Sequence, residues 1–225
     1  GQAELARLQG SRALRIGAFH AAALHLVPPA LTALRHQVDG VEPSLFEIAS
    51  HDAVPLVAAG ALDIAVMATW DDPPPADARV VTTEVTTDPM VLVVPDDHPL
   101  ASRADEPVAL AELADSAWVV IQTGAARAQF DRATQRSGFD PVVRFETQSY
   151  DIAQALVATG YAVALVSRLA LRDDPSLAQV ALAEVALAKA GLHRTIHCVS
   201  PRRPLNPTVS AQFAALLRAV AVQEG

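Results

Sequence analysis

The sequence predicts an α/β protein of two doubly wound lobes, because one pattern occurs twice along the chain. "FEIASHD" at residues 46 to 52 and "FETQSYD" at residues 145 to 151 share Phe-Glu, Ser and Asp at the same spacing. Each is followed by a short helical stretch, a glycine and an apolar run, "LVAAGALDIAVM" (56–67) and "LVATGYAVALV" (156–166). Glycine readily adopts the left-handed conformation that ends a helix. Short continuous apolar runs are typical of buried parallel strands, so each copy predicts a βαβ unit.

The first lobe begins with helical composition at residues 3–9 and a strand at 14–18. A helix is predicted over 21–37, interrupted by "VPP" at 27–29, because proline lacks the N–H that continues a helix. A strand at 44–49, a helix at 53–59 and a strand at 64–68 complete a βαβαβ unit.

The proline-rich loop "DDPPPAD" (71–77) is followed by predicted strands at 80–86 and 90–94. From residue 117 the pattern restarts as a second βαβαβ unit, with strands at 118–121, 142–147 and 162–166 and helices at 125–137 and 151–159. After an irregular stretch come a strand at 195–200 and a helix at 207–220. Asn206 and Pro207 are a favourable N-cap and first-turn pair for this helix, and residues 209, 213, 216, 217 and 220 share its apolar face.

Composition limits the function. Half of the 225 residues are hydrophobic, enough for a substantial core, and 17 basic against 25 acidic residues give a net charge of −8, which argues against direct nucleic-acid binding. The single Cys198 cannot form an internal disulfide and is interpreted as a small buried hydrophobe. Without a membrane-length apolar run or a signal peptide, we expect a cytoplasmic chain. Its first residue is glycine, which indicates a piece of a longer protein.

Catalytic and cofactor motifs are absent from the sequence. It contains no glycine-rich nucleotide loop, no nucleophile elbow and no H-E-x-x-H zinc motif. His193 and His197 would lie about 13 Å apart on an extended segment, too far to share a metal ion. We therefore expect no enzyme activity, no cofactor and no metal site.

Ligand-binding candidates lie where strands end and helices begin, because ligands of doubly wound lobes bind beyond the carboxyl ends of the strands. Ser50 and Ser149 stand at matching positions, one in each lobe. Capping of the following helix explains either serine alone, whereas the duplication favours a shared site. His20 and His51 are either solvated loop histidines or ligand contacts. The aromatic residues Phe19 and Trp70 are either the edge of the core or a ligand platform.

Several segments together resemble the effector-binding region of LysR-type transcriptional regulators. The most specific are "LVVPDDHPLA" and "AAGALDIAV", supported by "LRIGAFHAAALHLVPPALTALRHQVDGVEPSLFEI", "LADSAWVV" and "SPRRPLNPTVSAQFAALLRAV". The resemblance runs from about Leu14 to Val220, nearly the whole chain.

The resemblance implies two Rossmann-like lobes joined by two crossover segments, the type 2 periplasmic-binding-protein-like fold. The crossovers would lie near 86–90 and 193–199. Residues 1–13 would end a linker helix, residues 14–88 and 199–225 would form lobe I, and residues 89–198 would form lobe II. The linker would lead from a winged helix-turn-helix DNA-binding domain that this sequence does not contain.

The resemblance also implies that the effector binds between the lobes, at six turns. The residues in these six turns are Phe19, His20, Ala21 and Ala22; Ser50 and His51; Thr69 and Trp70; Gln122, Thr123 and Gly124; Gln148, Ser149 and Tyr150; and Ser167. Family members often carry Ser or Thr in the first turn, whereas this chain has "FHAA". An anion would then be held by backbone N–H groups of the helix starting near Ala21 and by a protonated His20.

The leading interpretation is a cytoplasmic sensor domain. It binds a small-molecule effector, often a carboxylate or aromatic metabolite in this family, and contacts promoter DNA only through the missing domain. The full-length protein is expected to be a homodimer or homotetramer without membrane contact. Residues 24–34 and 125–133 are candidate dimer surfaces, with lobe cores as the alternative. Two other interpretations are an extracytoplasmic solute-binding protein of a transport system and an enzyme whose site assembles only on folding.

Overall fold

The computed structural model describes residues 13–103, 106–122, 124–180 and 192–224. They form two units, one containing the described residues up to Thr87 and from Arg194 onward, the other running from Asp88 to His193. Each unit is a sheet with helices, which confirms the predicted two-lobed α/β fold. The helix predicted at 3–9, and all of the predicted linker segment except Ala13, lie outside the described residues. Within the described ranges, no helix has the length and hydropathy that a membrane span requires.

The first unit follows the predicted βαβαβ order. Its elements are β1 (Ala13–Ala18), α1 (His20–His25), α2 (Val27–Gln37), β2 (Glu42–Glu47), a 3₁₀ turn (Ser50–Asp52), α3 (Ala53–Ala58) and β3 (Ile64–Thr69). The chain returns to this unit through β9 (His193–Pro201) and α6 (Pro207–Glu224). β1 lies between β2 and β3 and is parallel to both, whereas β9 is antiparallel to β3. The sheet is therefore mixed, with three parallel strands.

The predicted interruption of the first long helix is confirmed. α1 ends at His25, Leu26 separates the two helices, and the prolines of "VPP" lie in the first turn of α2. Proline is tolerated in a first turn because the N–H groups there have no intrahelical partner. Leu26 is fully buried, so the break is fixed by packing as well as by the prolines.

β2 begins and ends two residues earlier than predicted. It pairs with β1 from Ala13↔Glu42 to Ala18↔Glu47, so the register of β1 sets its ends. All six of its residues are exposed, which is the pattern of an edge strand and not of a buried one. The predicted tail, residues 48 and 49, leads instead into the 3₁₀ turn.

The second unit repeats the plan. Its elements are β4 (Val80–Pro95, which begins in the first unit), 3₁₀ turns at Pro99–Arg103 and Leu110–Leu113, β5 (Ala117–Ile121), α4 (Gly124–Arg136), β6 (Val142–Thr147), α5 (Tyr150–Val157), β7 (Val163–Ser167), a 3₁₀ turn (Arg168–Ala170) and β8 (Leu177–Val180). The strand order is β4-β7-β5-β6, with β8 pairing β4. β5 is parallel to β6 and β7, while β4 is antiparallel to β7.

Two strand predictions were wrong in this region. The separate strands at 80–86 and 90–94 form one strand, β4, because Asp88 and Pro89 do not break it: proline fits extended backbone, and the Asp88 carboxylate is bound inside the unit. β8 was missed because "LAQV" is short and of mixed polarity. It is held by antiparallel pairing with β4, from Leu92↔Val180 to Pro95↔Leu177.

The returning strand β9 is longer than predicted and lies in a different unit. The predicted boundary placed residues 194–198 in the second lobe, whereas the structure places Arg194 and everything after it in the first unit. The physical reason is the antiparallel pairing of Thr195–Val199 with β3.

The helix ends at the two repeated glycines are as predicted. Gly60 and Gly160 have φ angles of 73° and 83°, in the left-handed region that glycine adopts without a Cβ penalty. The final helix α6 buries Val209, Phe213, Leu217 and Val220 along one face, as its apolar spacing predicted.

Candidate functional site

The three parallel strands of the first unit end at one edge of its sheet, because β1, β2 and β3 run in the same direction. The turns that follow them carry Phe19 to Ala22, Ser50 and His51, and Thr69 and Trp70. The sequence therefore predicted correctly which residues share this edge, which we call the first carboxyl edge. Their individual contacts differ from expectation at several positions.

Ser50 does not cap a helix. Its hydroxyl oxygen accepts a hydrogen bond from the backbone N–H of Ala68, at 3.0 Å, and so ties the turn after β2 to the end of β3. Because a hydroxyl that accepts a hydrogen bond keeps its own hydrogen, Ser50 can still donate to a ligand. The capping alternative was wrong for this serine.

Thr69 and His197 form a polar pair at the end of β3. The Thr69 hydroxyl lies 2.8 Å from Nε2 of His197, and only 8% of His197 is exposed. Burial lowers the pKa of His197, although the nearby Glu84 partly opposes this shift. A neutral imidazole next to a hydroxyl can accept or donate one hydrogen bond, which suits recognition of a polar ligand group.

Arg194 covers the face of Phe19. The guanidinium carbon lies 4.8 Å from the ring centroid, within the range of a cation–π contact, and both residues are more than nine-tenths buried. Phe19 therefore presents little free surface. Sequence reasoning missed Arg194 and considered His197 only as a zinc ligand. The available signal was an arginine and a histidine in a strand that also carries the apolar residues Ile196, Cys198 and Val199.

The expected anion contact at His20 is not supported by its surroundings. Nδ1 of His20 lies 3.2 Å from a carboxylate oxygen of Glu47, so an anion at this position would meet a like charge. The helix there starts at His20 and has six residues, and Ala21 and Ala22 are buried. The Glu47 carboxylate therefore disfavours an anion at the His20 side chain, and anion binding in the first turn stays a prediction.

The other two residues of this edge differ in exposure. His51 is 84% exposed and lies 3.6 Å from Asp52, its neighbour in the chain, as expected of a solvated loop histidine. Trp70 is half-buried and leaves part of its ring accessible. In the described ranges, no group of three or more potential ligands could hold a metal ion.

The second unit has an equivalent edge, because β5, β6 and β7 are parallel. Its turns carry Gln122 and Gly124, Gln148 to Tyr150, and Ser167, and we call it the second carboxyl edge. The backbone N–H of Gln122 donates to the backbone carbonyl oxygen of Thr147 at 2.7 Å, so this hydrogen bond does not involve the side-chain amide of Gln122. Gln148 is exposed. Thr123 lies outside the described residues.

Ser149 and Tyr150 have structural partners. The Ser149 oxygen accepts from the N–H of Ile152 at 3.5 Å, so the capping alternative holds for this serine. The Tyr150 hydroxyl lies 3.8 Å from the sulfur of Met90, and only 9% of the residue is exposed. Tyr150 thus anchors the start of α5 to β4.

The repeated Phe-Glu motif has one contact in common between the two copies. Glu47 approaches His20, and Glu146 lies 3.2 Å from Arg127. In each unit, the glutamate at the end of the outer strand contacts a basic side chain in the first turn of the helix that follows the neighbouring strand. The duplication therefore reflects a shared way of joining an edge strand to a helix.

Ser167 is not accessible to a ligand. It is fully buried, and its hydroxyl donates to Oδ2 of Asp88 at 2.5 Å. The other oxygen of Asp88 accepts from the backbone N–H of Leu169 at 3.0 Å. The prediction that Ser167 contacts the ligand was wrong, because its hydroxyl is bound to the Asp88 carboxylate. This hydrogen bond joins the end of β7 to β4.

Two βαβ-based units, each with polar turns at the carboxyl ends of its parallel strands, define the class of two-lobed, type 2 periplasmic-binding-protein-like domains. Within that class, the family model for the LysR substrate-binding domain matches residues 8–221. The chain belongs to this family.

Named relatives agree with this assignment. The chain is 28% identical over 165 residues to the HTH-type transcriptional regulator TtuA of Agrobacterium vitis, covering 72% of this chain and 53% of TtuA. It is 26% identical over 221 residues to the hydrogen peroxide-inducible genes activator of Escherichia coli O6:H1, covering 96% of this chain and 70% of that protein. The chain thus spans about half of TtuA. These relatives are transcription regulators, so the prediction that the chain is not an enzyme is confirmed at the level of the family.

A solved structure supports the fold. The effector-binding domain of BenM, with its effector benzoate, superposes with a TM-score of 0.76 at 18% identity, covering 95% of this chain and 93% of that domain. At this identity the likeness shows the fold alone.

Proposed function

We propose that this chain is the sensor domain of a LysR-type transcriptional regulator and binds a small-molecule effector at its two carboxyl edges. The observation that carries the proposal is the first carboxyl edge, where Ser50, Thr69, His197 and Trp70 offer hydrogen-bonding groups beside an aromatic ring. Polar groups next to apolar surface are the usual composition of a small-molecule site. The family assignment favours this proposal over a solute-binding protein of a transport system.

The side chains that remain available favour a neutral or aromatic effector at the first edge over an anion held by His20. Glu47 places a carboxylate there, whereas Trp70, Thr69 and Ser50 offer a ring and two hydroxyls. Benzoate, the effector of BenM, has an aromatic ring and a carboxylate. For this chain, we propose that a ring lies against Trp70 and that polar substituents reach Ser50 and Thr69. At the second edge, Gln122 and Gln148 would contact the effector.

Peroxide sensing by a thiol is not supported, although one relative is named for it. The chain has a single cysteine, Cys198, which is 1% exposed. Burial raises the pKa of Cys198 to about 12, with a small opposing effect of Arg218. Because the thiolate is the reactive form, this thiol is poorly suited to react with an oxidant.

Regulation would follow from coupling between effector binding and the arrangement of the full-length protein. An effector can shift an equilibrium only by the difference in its affinity for the two states. We propose that the full-length protein is a cytoplasmic homodimer or homotetramer and that promoter DNA is contacted through an N-terminal winged helix-turn-helix domain.

The experiment is a thermal-shift screen of the chain against aromatic acids, neutral aromatics, amino acids and carboxylates of central metabolism. A ligand at about 100 times its dissociation constant adds about 2.7 kcal/mol of stability, which is readily detected. We expect a hit whose shift is lost in Ser50→Ala and kept in Ser44→Ala, an exposed serine of β2. A hit that is unaffected by Ser50→Ala would contradict the role of Ser50.

A further inference from the structure

A cavity of about 330 Å³ lies in the first unit at the opposite edge of the sheet from the carboxyl edge. It is bounded by the start of β1, the end of α3 and the segment that leads into α6. Its size falls within the range of small-molecule sites, about 300–1,000 Å³. None of the residues of the proposed effector site lines it.

Positively charged side chains outnumber negatively charged ones in the lining of this cavity. Arg15 is matched by Asp63, to which it donates from its backbone N–H, at 2.8 Å, and from its guanidinium, at 3.0 and 2.8 Å. Arg79 is paired with Asp77 at 2.6 Å. Arg203 is exposed and, among the described residues, has neither a hydrogen bond nor an ion pair.

Two further features point into the same cavity. The 18-residue helix α6 begins at its wall with Asn206 and Pro207, and the first turn of a long helix attracts anions through its dipole and its backbone N–H groups. Ser210, in that first turn, is only 5% exposed and lines the cavity, and its hydroxyl makes no hydrogen bond within the part of the chain that is described. The Ser210 oxygen is not among the fully buried, unpartnered atoms of the described residues, so it stays accessible from the cavity and can donate to a ligand there.

The remaining wall is apolar. Leu14, Val57 and Leu62 form part of the lining, together with Pro204 and Leu205. Leu205 is 59% exposed and leaves apolar surface accessible on the side of the cavity that carries Arg203. The cavity therefore combines a cationic group, a hydroxyl donor and an apolar surface.

We propose that this cavity is a second ligand site, separate from the effector site, that binds a small molecule with an anionic group and an apolar body. Arg203 would bind the phosphate or carboxylate, the Ser210 hydroxyl would donate to it, and the apolar body would lie against Leu205. Arginine suits this role because its planar guanidinium matches both anions with two parallel hydrogen bonds.

The test is an NMR titration of the ¹⁵N-labelled chain with phenyl phosphate and with phenylacetate, using inorganic phosphate and benzyl alcohol as probes of the anionic and apolar parts alone. We expect saturable shifts of the amides near Gly60 and at residues 206 and 208–210, with at least one aryl anion binding more tightly than inorganic phosphate and benzyl alcohol. Preference for one aryl anion would identify phosphate or carboxylate as the group recognised.

Variants separate this site from the effector site. Arg203→Ala should weaken binding of the tighter aryl anion at least tenfold, and Ser210→Ala about threefold. Arg218→Ala removes an exposed arginine from α6, the helix that carries Ser210, and should change the affinity less than twofold. Shifts confined to the carboxyl-edge turns, no saturable shifts with either aryl anion, or full affinity in Arg203→Ala would each overturn the proposal. The effector site is tested separately by the thermal-shift screen, because the variants of that screen lie at the other edge.

Discussion

The hydroxyl of Ser167 is used inside the second unit, where it donates to the buried carboxylate of Asp88. Ser167→Ala leaves one oxygen of that carboxylate without this donor. We expect a loss of about 1.5–3 kcal/mol in the free energy of unfolding, the usual contribution of a hydrogen bond to a charged group. Urea denaturation measures it, with the exposed Ser44→Ala as a control that should cost less than about 0.5 kcal/mol. An unchanged free energy of unfolding in Ser167→Ala would mean that the hydrogen bond from Ser167 to Asp88 does not stabilise the fold.

His197 predicts a pH dependence of the stability of the first unit. Burial lowers its pKa below the ordinary value of 6.5, so below about pH 6.5 the unfolded chain binds more protons at this site than the folded chain does. The contribution of His197 therefore falls as the pH decreases. His197→Gln should reduce the difference in unfolding free energy between about pH 5 and about pH 7.5, whereas the exposed Ser44→Ala, which alters no titratable group, should leave it unchanged. Equal pH dependence in wild type and His197→Gln would contradict this account.

Identical residues at equivalent positions of the two repeated motifs do not make identical contacts. Ser50 and Ser149 share a motif, yet Ser50 bonds to the end of the neighbouring strand and Ser149 caps its own helix. The sequence predicted the turns, because strand ends follow from apolar runs and glycines. It did not predict the partners of the side chains. Ser50 is bonded to Ala68, and Ser167 is bonded to Asp88. Neither partner is a neighbour in the chain, and strand pairing brings each of them close to its serine.

At the scale of elements, local signals predicted most helices and strands. "VPP" located the break between α1 and α2, and Gly60 and Gly160 marked two helix ends. The failures concern strands whose existence depends on pairing. β8 has a weak pattern of its own, and β4 continues through Asp88 and Pro89 because neighbouring strands hold it.

Gly160 provides a test at this scale. Its φ angle is 83°, and a Cβ added there would meet no atom within 4 Å, so substitution costs backbone strain without a clash. We expect Gly160→Ala to lose about 1–2 kcal/mol in unfolding free energy, and Gly160→Asn to lose less, because asparagine tolerates the left-handed region better. Chemical denaturation of both variants measures the difference. Equal losses would show that the backbone conformation does not set the cost.

At the scale of the whole molecule, the repeated βαβαβ pattern predicted the two-unit fold and the resemblance predicted the family. Neither predicted the chemistry of the first carboxyl edge. Arg194 and His197 come from β9, far along the chain from the turns they join, and antiparallel pairing with β3 places His197 beside Thr69. A strand that returns to an earlier sheet leaves little local signal of its destination.

We propose that the turn residues of both carboxyl edges together bind the effector. The most direct measurement is isothermal titration of the strongest thermal-shift hit into the wild-type chain and into Thr69→Val, Gln148→Ala and Thr32→Val. We expect Thr69→Val and Gln148→Ala each to weaken binding about tenfold, the effect of losing about 1.4 kcal/mol of hydrogen bonding. Thr32→Val, an exposed control on α2, should bind like wild type. Wild-type affinity in both edge variants would contradict the claim and place the effector elsewhere.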